Sequence, residues 1–389
     1  AGDGGLGYNI YTVPEGQYMI GSNGKLNPNA TLGRVITGKD GEQYYITPDD
    51  WEDIGMRTGK RQEYNASVSA ANERSSFYAS LGYLENEGIT YGSDMTRITA
   101  RLKADYQAKK WLKVGGNISY SNFKFNSLNY NGSETSQGNV WAFTSQMAPI
   151  YPAYVRTADG KIKVDSNGYE MMDYGSTDDP GPGLTRPFIH GANPIMDNKL
   201  NTRESEGNAI TANGFATFTI LQGLTLNLNA TTNLDETRST SVYNQFYGQF
   251  AKNGGTISKG TTRYFNWNMQ QLLNYSFTLG EKNNFDITLG HEYYKVNNKA
   301  LSASKSKIFS TENKELGGAV IDGQSAYSEA YTYNNEGYIA RLQYNYGERI
   351  FGQASFRRDA SSRFHPDHQW GNFWSFAHQQ GEVVQGRLG

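Results

Sequence analysis

The chain has 389 residues, no cysteine and a formal net charge of −2. Its near-balanced charge gives no support to nucleic-acid binding, and the lack of cysteine excludes disulfides and thiolate metal sites. The mean hydropathy is −0.68, and no run of about 18 apolar residues exists, which excludes a transmembrane helix. The 28 tyrosines and 44 glycines favour a β-rich chain with long polar loops.

Residues 1–60 show little periodicity and many turn residues, which predicts a long loop region. Gly2, Gly4 and Gly7 match a G-x-G-x-x-G spacing there. No strand precedes them and no helix follows, so a flexible loop is favoured over a phosphate site. The chain starts without a Met or a signal peptide, and we interpret it as a mature piece or a fragment.

Strict alternation of apolar and polar residues is clearest between positions 94 and 125. Each arm of this hairpin keeps the alternation for about ten residues, whereas strands of soluble proteins average about 5–6. Because neighbouring side chains in a strand point to opposite sides of the sheet, one face is apolar and the other polar. Ten such residues suit a strand that crosses an outer membrane at a tilt.

The connections between the predicted strands alternate in length. Short turns fall near positions 72, 109, 222, 282 and 348, and longer connections lie between them, the longest at 126–206, 238–261 and 298–328. Membrane β-barrels have short turns on one side and long loops on the other, and only a closed barrel pairs every backbone group in lipid. We count about eleven strands, which predicts half of a larger barrel.

The predicted fold class is therefore all-β, a transmembrane antiparallel β-barrel present in part. We expect an extracellular loop region over residues 1–60, barrel strands with long extracellular loops over 61–377, and an atypical tail over 378–389. The localisation that this fold indicates is the bacterial outer membrane.

Four segments resemble the SusC/RagA family of TonB-dependent outer-membrane transporters: Arg61–Asn65, Ser75–Leu84, Ala104–Tyr120 and Ala354–Trp374. The resemblance is distributed over most of residues 8–376. It implies a barrel of about 22 strands around an N-terminal plug, coupled to the TonB complex. It also implies a SusD-like surface lipoprotein that delivers oligosaccharides or, in some members, peptides. We expect the plug and the TonB-contacting segment to be absent from this chain.

Two groups of residues are candidates for contact with a ligand or with the plug. The basic residues on the predicted lumen face either contact the plug or guide substrate, or they form a solvated polar wall. Aromatic residues in the largest loop either stack on sugar rings or pack the loop onto itself or onto the lipoprotein. The lumen-facing candidates are Arg97, Arg101, Lys103, Arg341 and Arg357, and the ligand-binding candidates are Trp141, Tyr151, Tyr154, Tyr169 and Tyr174.

Metal and catalytic sites have weak support. His365 and His368 flank a Pro-Asp pair in a predicted surface turn, which favours a structural loop over a metal pair. Asp173, Asp178 and Asp179 lack the Gly and Glu of a calcium loop. No nucleophile–base or zinc-protease motif occurs, so we expect neither catalysis, nor a cofactor, nor a bound metal.

The sequence thus predicts a non-enzymatic transporter for oligomeric nutrients. One alternative is a secreted β-rich adhesin or glycan-binding module, which would bury the apolar residues of 224–234 in a sandwich core and keep loops short on both sides. The other alternative is a passive porin, which differs in having no plug and no TonB segment.

Overall fold

The computed structural model describes residues 7–128, 139–177, 181–248 and 251–380, and within these ranges eleven antiparallel strands form one sheet. Two small two-stranded sheets and three short helices accompany it. The elements are β1 (Tyr11–Thr12), β2 (Thr31–Leu32), β3 (Arg34–Thr37), β4 (Gln43–Ile46), α1 (Trp51–Gly55), β5 (Arg61–Ala71), β6 (Ser75–Glu87), β7 (Asp94–Lys109), β8 (Leu112–Asn126), α2 (Val140–Gln146), α3 (Pro194–Leu200), β9 (Thr202–Leu221), β10 (Leu224–Tyr243), β11 (Thr256–Leu279), β12 (Asn283–Ile308), β13 (Ala319–Tyr346), β14 (Ile350–Ser361) and β15 (Trp370–Gln380).

The large sheet is a meander in which β5 to β15 pair in chain order. Successive connections between strands therefore lie at opposite ends of the strands. One end of the strands, which we call the short-turn rim, carries all the tight turns: 72–74, 110–111, 222–223, 280–282 and 347–349. The other end of the strands, which we call the loop rim, carries the remaining connections: 88–93, 127–201, 244–255, 309–318 and 362–369. The predicted separation of short and long connections is confirmed.

Five strands are longer than the alternation predicts. The strands β9 to β13 have 20, 20, 24, 26 and 28 residues, and the connections predicted at 238–261 and 298–328 shrink to 244–255 and 309–318. About ten tilted residues cross the apolar layer of an outer membrane. The strand ends beyond that layer have water on both sides, so backbone pairing continues there without an apolar series to reveal it.

The two faces of the sheet differ in polarity. One, the apolar face, carries rows of exposed hydrophobic side chains, of which Leu81 is 65% exposed and Leu289 50% exposed. Cross-strand register joins these rows, as in Leu226 opposite both Phe218 and Leu273. A soluble chain rarely leaves so continuous an apolar surface uncovered, whereas a barrel wall turns it to lipid.

The opposite, polar face is lined by side-chain hydrogen bonds between neighbouring strands. Thr211 Oγ1 donates to Asn233 Oδ1 at 2.9 Å, and Asn233 Nδ2 donates to Asn266 Oδ1 at 2.9 Å. Thr217 Oγ1 donates to Asn227 Oδ1 at 2.8 Å. Such cross-strand pairs stabilise register and give the face the character of a hydrated wall.

The apolar residues of 224–234 distinguish a barrel wall from a sandwich. Leu224, Leu226, Leu228 and Leu234 each keep part of their surface accessible, and none belongs to a buried cluster of the described chain. The alternative of a sandwich with these residues in its core is therefore wrong. No helix in the described ranges is long and apolar enough to cross a membrane.

The β9–β10 turn shows why a short turn requires glycine at one position. Gly223 has φ of +82°, and a Cβ placed there would come within 2.1 Å of the Ser276 carbonyl oxygen on β11. Only glycine combines this backbone conformation with so close an approach.

Candidate functional site

Segments that the sequence predicts as separate loops pack into one unit at the loop rim. We call this unit the cap; it comprises residues 7–60, the described parts of 139–201, and 244–248. Its core contains residues from all three segments, including Tyr8, Trp51, Phe143, Met172 and Tyr247. The cap is therefore a folded body with its own hydrophobic core.

Polar side chains at the N-termini of the three short helices in the cap stabilise these helices. The Asp50 carboxylate accepts hydrogen bonds from the backbone N–H groups of Glu52 and Asp53 at the start of α1. Asn139 and Asn193 cap α2 and α3 in the same way. These caps satisfy amide groups that each helix leaves unpaired, so helices of only five to seven residues persist against the core.

A buried arginine organises the centre of the cap. Arg186 is 0% exposed, and its Nη2 donates to the Tyr174 carbonyl at 2.7 Å and to the Ala192 carbonyl at 2.8 Å. Its guanidinium also lies 5.5 Å from the centroid of the Trp51 ring. Hydrogen bonds and the aromatic face together offset the cost of burying this cation.

An ion pair joins the N-terminal segment to the largest loop. Arg156 donates from Nη1 and Nη2 to the two carboxylate oxygens of Asp49 at 2.8 and 2.5 Å. The same carboxylate accepts the backbone N–H groups of Ala153 at 2.8 Å and Tyr154 at 3.1 Å. The two charged side chains are only 14% and 10% exposed. Four hydrogen bonds to one shielded carboxylate therefore join the two segments.

A second polar link, a hydrogen bond, joins Tyr8 in the N-terminal segment to Asp173 in the largest loop. The Tyr8 hydroxyl donates to Asp173, at 2.9 Å from each carboxylate oxygen. Burial, and then the negative charge of Asp173, raise the pKa of Tyr8 far above its ordinary value of 10.0. Tyr247 donates similarly to Asp165 at 2.7 Å, and burial followed by that hydrogen bond raises the pKa of Tyr247. Both phenols therefore remain neutral donors that tie the segments together.

The cap places the predicted ligand-binding aromatics in three environments. Trp141 is 46% exposed on α2. Tyr154 and Tyr169 are half-buried at the edge of the core. Tyr151 and Tyr174 are buried, Tyr151 against Tyr8 at 5.2 Å and Tyr174 stacked on Tyr247 at 6.2 Å. The two buried rings pack the cap, and contact between a ligand and any of the five residues stays a prediction.

The remaining loop candidates are the glycines of the G-x-G-x-x-G spacing and the aspartates considered for calcium. A Cβ on Gly7, which has φ of +74°, would come within 1.9 Å of the Thr185 carbonyl, so close packing accounts for this glycine; Gly2 and Gly4 lie outside the described residues. Asp173 is occupied by Tyr8 and by the Gly175 N–H at 2.5 Å, while Asp178 and Asp179 lie outside the described residues.

The histidine pair lies in the exposed 362–369 connection. The His365 and His368 rings are 6.4 Å apart, and His365 Nδ1 lies 3.5 Å from Asp367. Across the described ranges, no group of three or more His, Asp or Glu side chains is placed to hold a metal ion.

The predicted lumen-facing cations all lie on the polar face. Arg97, Arg101 and Lys103 follow one another along β7 and are exposed. Arg341 on β13 and Arg357 on β14 form a second group, in which Arg341 Nη2 donates to Gln353 Oε1 at 3.0 Å. The polar face thus carries two separate basic regions, six strands apart.

Arg357 belongs to a pocket of about 710 Å³ on the polar face. Its Nε donates to the Asp359 carboxylate at 2.7 and 2.8 Å, and its Nη2 lies 3.4 Å from Glu292 Oε2. Asn268 Nδ2 donates to Glu292 Oε1 at 3.0 Å. Tyr294, Asn335, Phe364 and Phe373 are among the other residues that line it.

This pocket offers fixed donors and acceptors beside aromatic rings. Within the described chain, the buried Asn335 Oδ1 has no hydrogen-bond partner. A guanidinium, two carboxylates and two amides suit a neutral ligand rich in hydroxyl or amide groups more than a strongly charged one. The sequence analysis did not identify Glu292 and Asp359. Their only sequence signal is that they occupy polar positions in the alternation of β12 and β14.

No family model matches the chain. Among curated proteins it is similar to the TonB-dependent receptor P39 of Formosa agariphila, 24% identical over 335 residues, which are 83% of this chain and 28% of that protein. It is 25% identical over 334 residues to the TonB-dependent receptor SusC of Bacteroides thetaiotaomicron, covering 84% of this chain and 32% of SusC. The chain thus spans about a third of these relatives.

The fold is similar to that of a solved structure, the RagAB peptide transporter. The likeness has a TM-score of 0.69 at 22% identity and covers 85% of this chain and 35% of that one. The RagAB peptide importer in its "open-open" state gives a TM-score of 0.67 over the same share of this chain. Sequence and fold therefore agree, and both support a SusC/RagA-like TonB-dependent receptor of the bacterial outer membrane.

Proposed function

We propose that the full-length protein imports oligomeric nutrients, oligosaccharides or peptides, across the outer membrane in a TonB-dependent manner. The observation that carries this proposal is the asymmetry of the sheet: a hydrogen-bonded polar wall below, and a cap with its own core at the loop rim only. The similarity to SusC and to the RagAB peptide transporter supports the same reading. In this proposal the cap lies outside the cell.

The cap is proposed as the surface that receives substrate from a SusD-like lipoprotein. Trp141 presents its indole to solvent, and Tyr154 and Tyr169 are partly accessible in the same loop. Aromatic faces pack on sugar rings or on peptide groups while polar tips stay hydrated. Tyr151 and Tyr174 are buried in the cap core, against which Tyr154 and Tyr169 pack.

The pocket around Arg357 is proposed as a second contact point, on the path through the barrel. Its donors and acceptors are held by mutual hydrogen bonds before a ligand arrives. Such preorganised groups bind hydroxyls or peptide amides with little reordering. The same face meets the plug in the proposed full-length protein, so movement of the plug would expose or cover the pocket.

A deletion strain of the native host tests the proposal. We expect loss of uptake of labelled oligosaccharides or peptides, unchanged uptake of the corresponding monomers, and restoration by the wild-type gene. The Trp141→Ala variant should reduce uptake, while the matched variant Trp111→Ala, a 52%-exposed indole at the opposite rim, should not. Surface abundance of each variant is measured in parallel.

Removal of TonB separates import from passive diffusion. Uptake that stops without TonB supports the proposal. Uptake that continues without TonB would show a porin, and normal growth of the deletion strain on every oligomer tested would refute nutrient import.

A further inference from the structure

Three cations lie on the apolar face where β11 and β12 approach the loop rim. In the β11–β12 register, Trp267 is opposite Lys295, Phe265 opposite Asn297, and Arg263 opposite Lys299. All six side chains therefore share one face with Leu289 and Leu273, the face that is turned to lipid. A basic group in this row is unexpected unless it lies at the membrane surface.

The height of these cations on the barrel follows from strand geometry. A residue advances about 3.3 Å along a strand, so at a tilt near 40° it rises roughly 2.5 Å across the membrane. Counted from Asn283 at the short-turn rim, Lys295 then lies at about 30 Å and Lys299 at about 40 Å. The apolar band of such barrels is about 25 Å tall, and headgroups extend several Å beyond it. Long basic side chains therefore reach the headgroup layer of the loop-rim leaflet.

Aromatic rings mark the same boundary. The Trp267 and Tyr293 rings lie 5.1 Å apart on this face, just below Lys295. Amphipathic rings concentrate at the interface between lipid chains and headgroups. This independent marker agrees with the height derived from residue counting.

The charges at this position repel one another in the protein alone. Arg263 and Lys299 are directly opposite across the strands, an arrangement that destabilises a sheet. Glu236, opposite Arg263 on β10, is engaged by Arg238 at 3.2 Å. None of Arg263, Lys295 and Lys299 forms an ion pair with a residue that the structure describes. A cavity of about 200 Å³ lies between Arg263, Phe265, Asn297 and Lys299.

We propose that Arg263, Lys295 and Lys299 bind the phosphate of an anionic lipid in the leaflet at the loop rim. The phosphate enters the cavity between the opposed cations and removes their repulsion, and Asn297 supplies a polar neighbour. The acyl chains then run down the apolar face from the level of Trp267 and Tyr293 towards Leu273 and Leu289. This site requires only that the apolar face is turned to lipid, so it stands apart from the proposed import function.

The test uses the full-length receptor purified in dodecyl maltoside. Native mass spectrometry counts bound phosphatidylglycerol against phosphatidylcholine with the same acyl chains. The triple variant R263Q/K295Q/K299Q is compared with R97Q/R101Q/K103Q, which removes three cations from the polar face of β7. Since each basic contact with an anionic lipid contributes about fivefold, the first variant should bind phosphatidylglycerol about a hundredfold more weakly. The control variant should bind it as wild type does.

Three results would overturn the site: equal binding of the two lipids by the wild-type receptor, unchanged phosphatidylglycerol binding by R263Q/K295Q/K299Q, or an equal loss in the control. Competition by millimolar inorganic phosphate distinguishes a lipid site from a free-anion site, and complete displacement would also refute the proposal. If the triple variant does not fold, Lys299→Gln alone should weaken binding about fivefold, and no change would count against the site.

Discussion

Replacing Asp49 by Asn tests whether the cap is held together by the shielded ion pair. The side-chain amide keeps one oxygen that can accept from Ala153, Tyr154 and Arg156 Nη1, but its NH₂ group would face Arg156 Nη2, and the Arg156 guanidinium would stay shielded without its counter-ion. Breaking a buried pair by removing one partner costs about 3 kcal/mol or more. At about 1.4 kcal/mol for each factor of ten, opening of the link becomes roughly a hundredfold more frequent.

Hydrogen exchange of the full-length receptor in detergent measures that opening. Peptides that cover 43–50 and 149–157 should exchange about a hundredfold faster in Asp49→Asn, because local opening controls their exchange. Peptides from β9–β12 should be unchanged. The matched variant Asp159→Asn removes an exposed pair with Lys161, whose side chains are 55% and 83% exposed, and should have little effect.

Two outcomes would contradict this reasoning. Unchanged exchange of both cap peptides would mean that apolar packing alone fixes the cap. Equal acceleration in Asp159→Asn would mean that the shielding of the Asp49 pair is irrelevant.

Four further expectations concern the sheet and the cap. Leu289→Lys should destabilise the receptor in lipid vesicles by about 2–4 kcal/mol in denaturant unfolding, whereas Thr288→Lys on the polar face should cost much less; equal costs would reverse the assigned faces. Lys299→Gln should raise the Tm in lipid-free neutral detergent, since it removes a like-charge pair worth up to about 1 kcal/mol, and a lower Tm would contradict that repulsion. Gly223→Ala should lower the yield of folded receptor on heat-modifiability gels, whereas Gly214→Ala on β9, which has open space at its Cβ and no positive φ, should not. The cap should lose its near-ultraviolet circular dichroism above about pH 10: the folded pKa values of Tyr8 and Tyr247 are raised, so their stabilising effect is complete below 10.0 and declines as the unfolded phenols ionise, and Tyr8→Phe should reduce this step.

The strands were predictable because lipid on one side and water on the other impose an alternation that a single sequence displays. Ile98 and Arg97 illustrate it on β7, and the turns at 222–223 and 347–349 are where the prediction puts them. The alternation fails above the membrane, where Ser239 and Thr240 continue β10 with polar residues on both faces. Pairing there depends on the neighbouring strands, which a local pattern cannot express.

The cap was not predictable from local patterns. Its core unites Tyr8 with Met172 and Tyr247, residues far apart in the chain, and irregular backbone gives their apolar neighbours no period. The aromatic residues of the largest loop were recognised as important, but the sequence could not separate exposed Trp141 from buried Tyr151. The asparagine and aspartate caps of the short helices are the local signal that could have indicated folded structure there.

The composition of the cap core has a consequence for the order in which the protein is assembled. Each hairpin of the meander brings together neighbours in the chain, so strands can join the wall one after another with short loop closures. Tyr8 and Tyr247, however, belong to one core, and Tyr247 follows β10 in the chain. If the strands join the wall in chain order, the core of the cap is therefore complete only after β10 is in place.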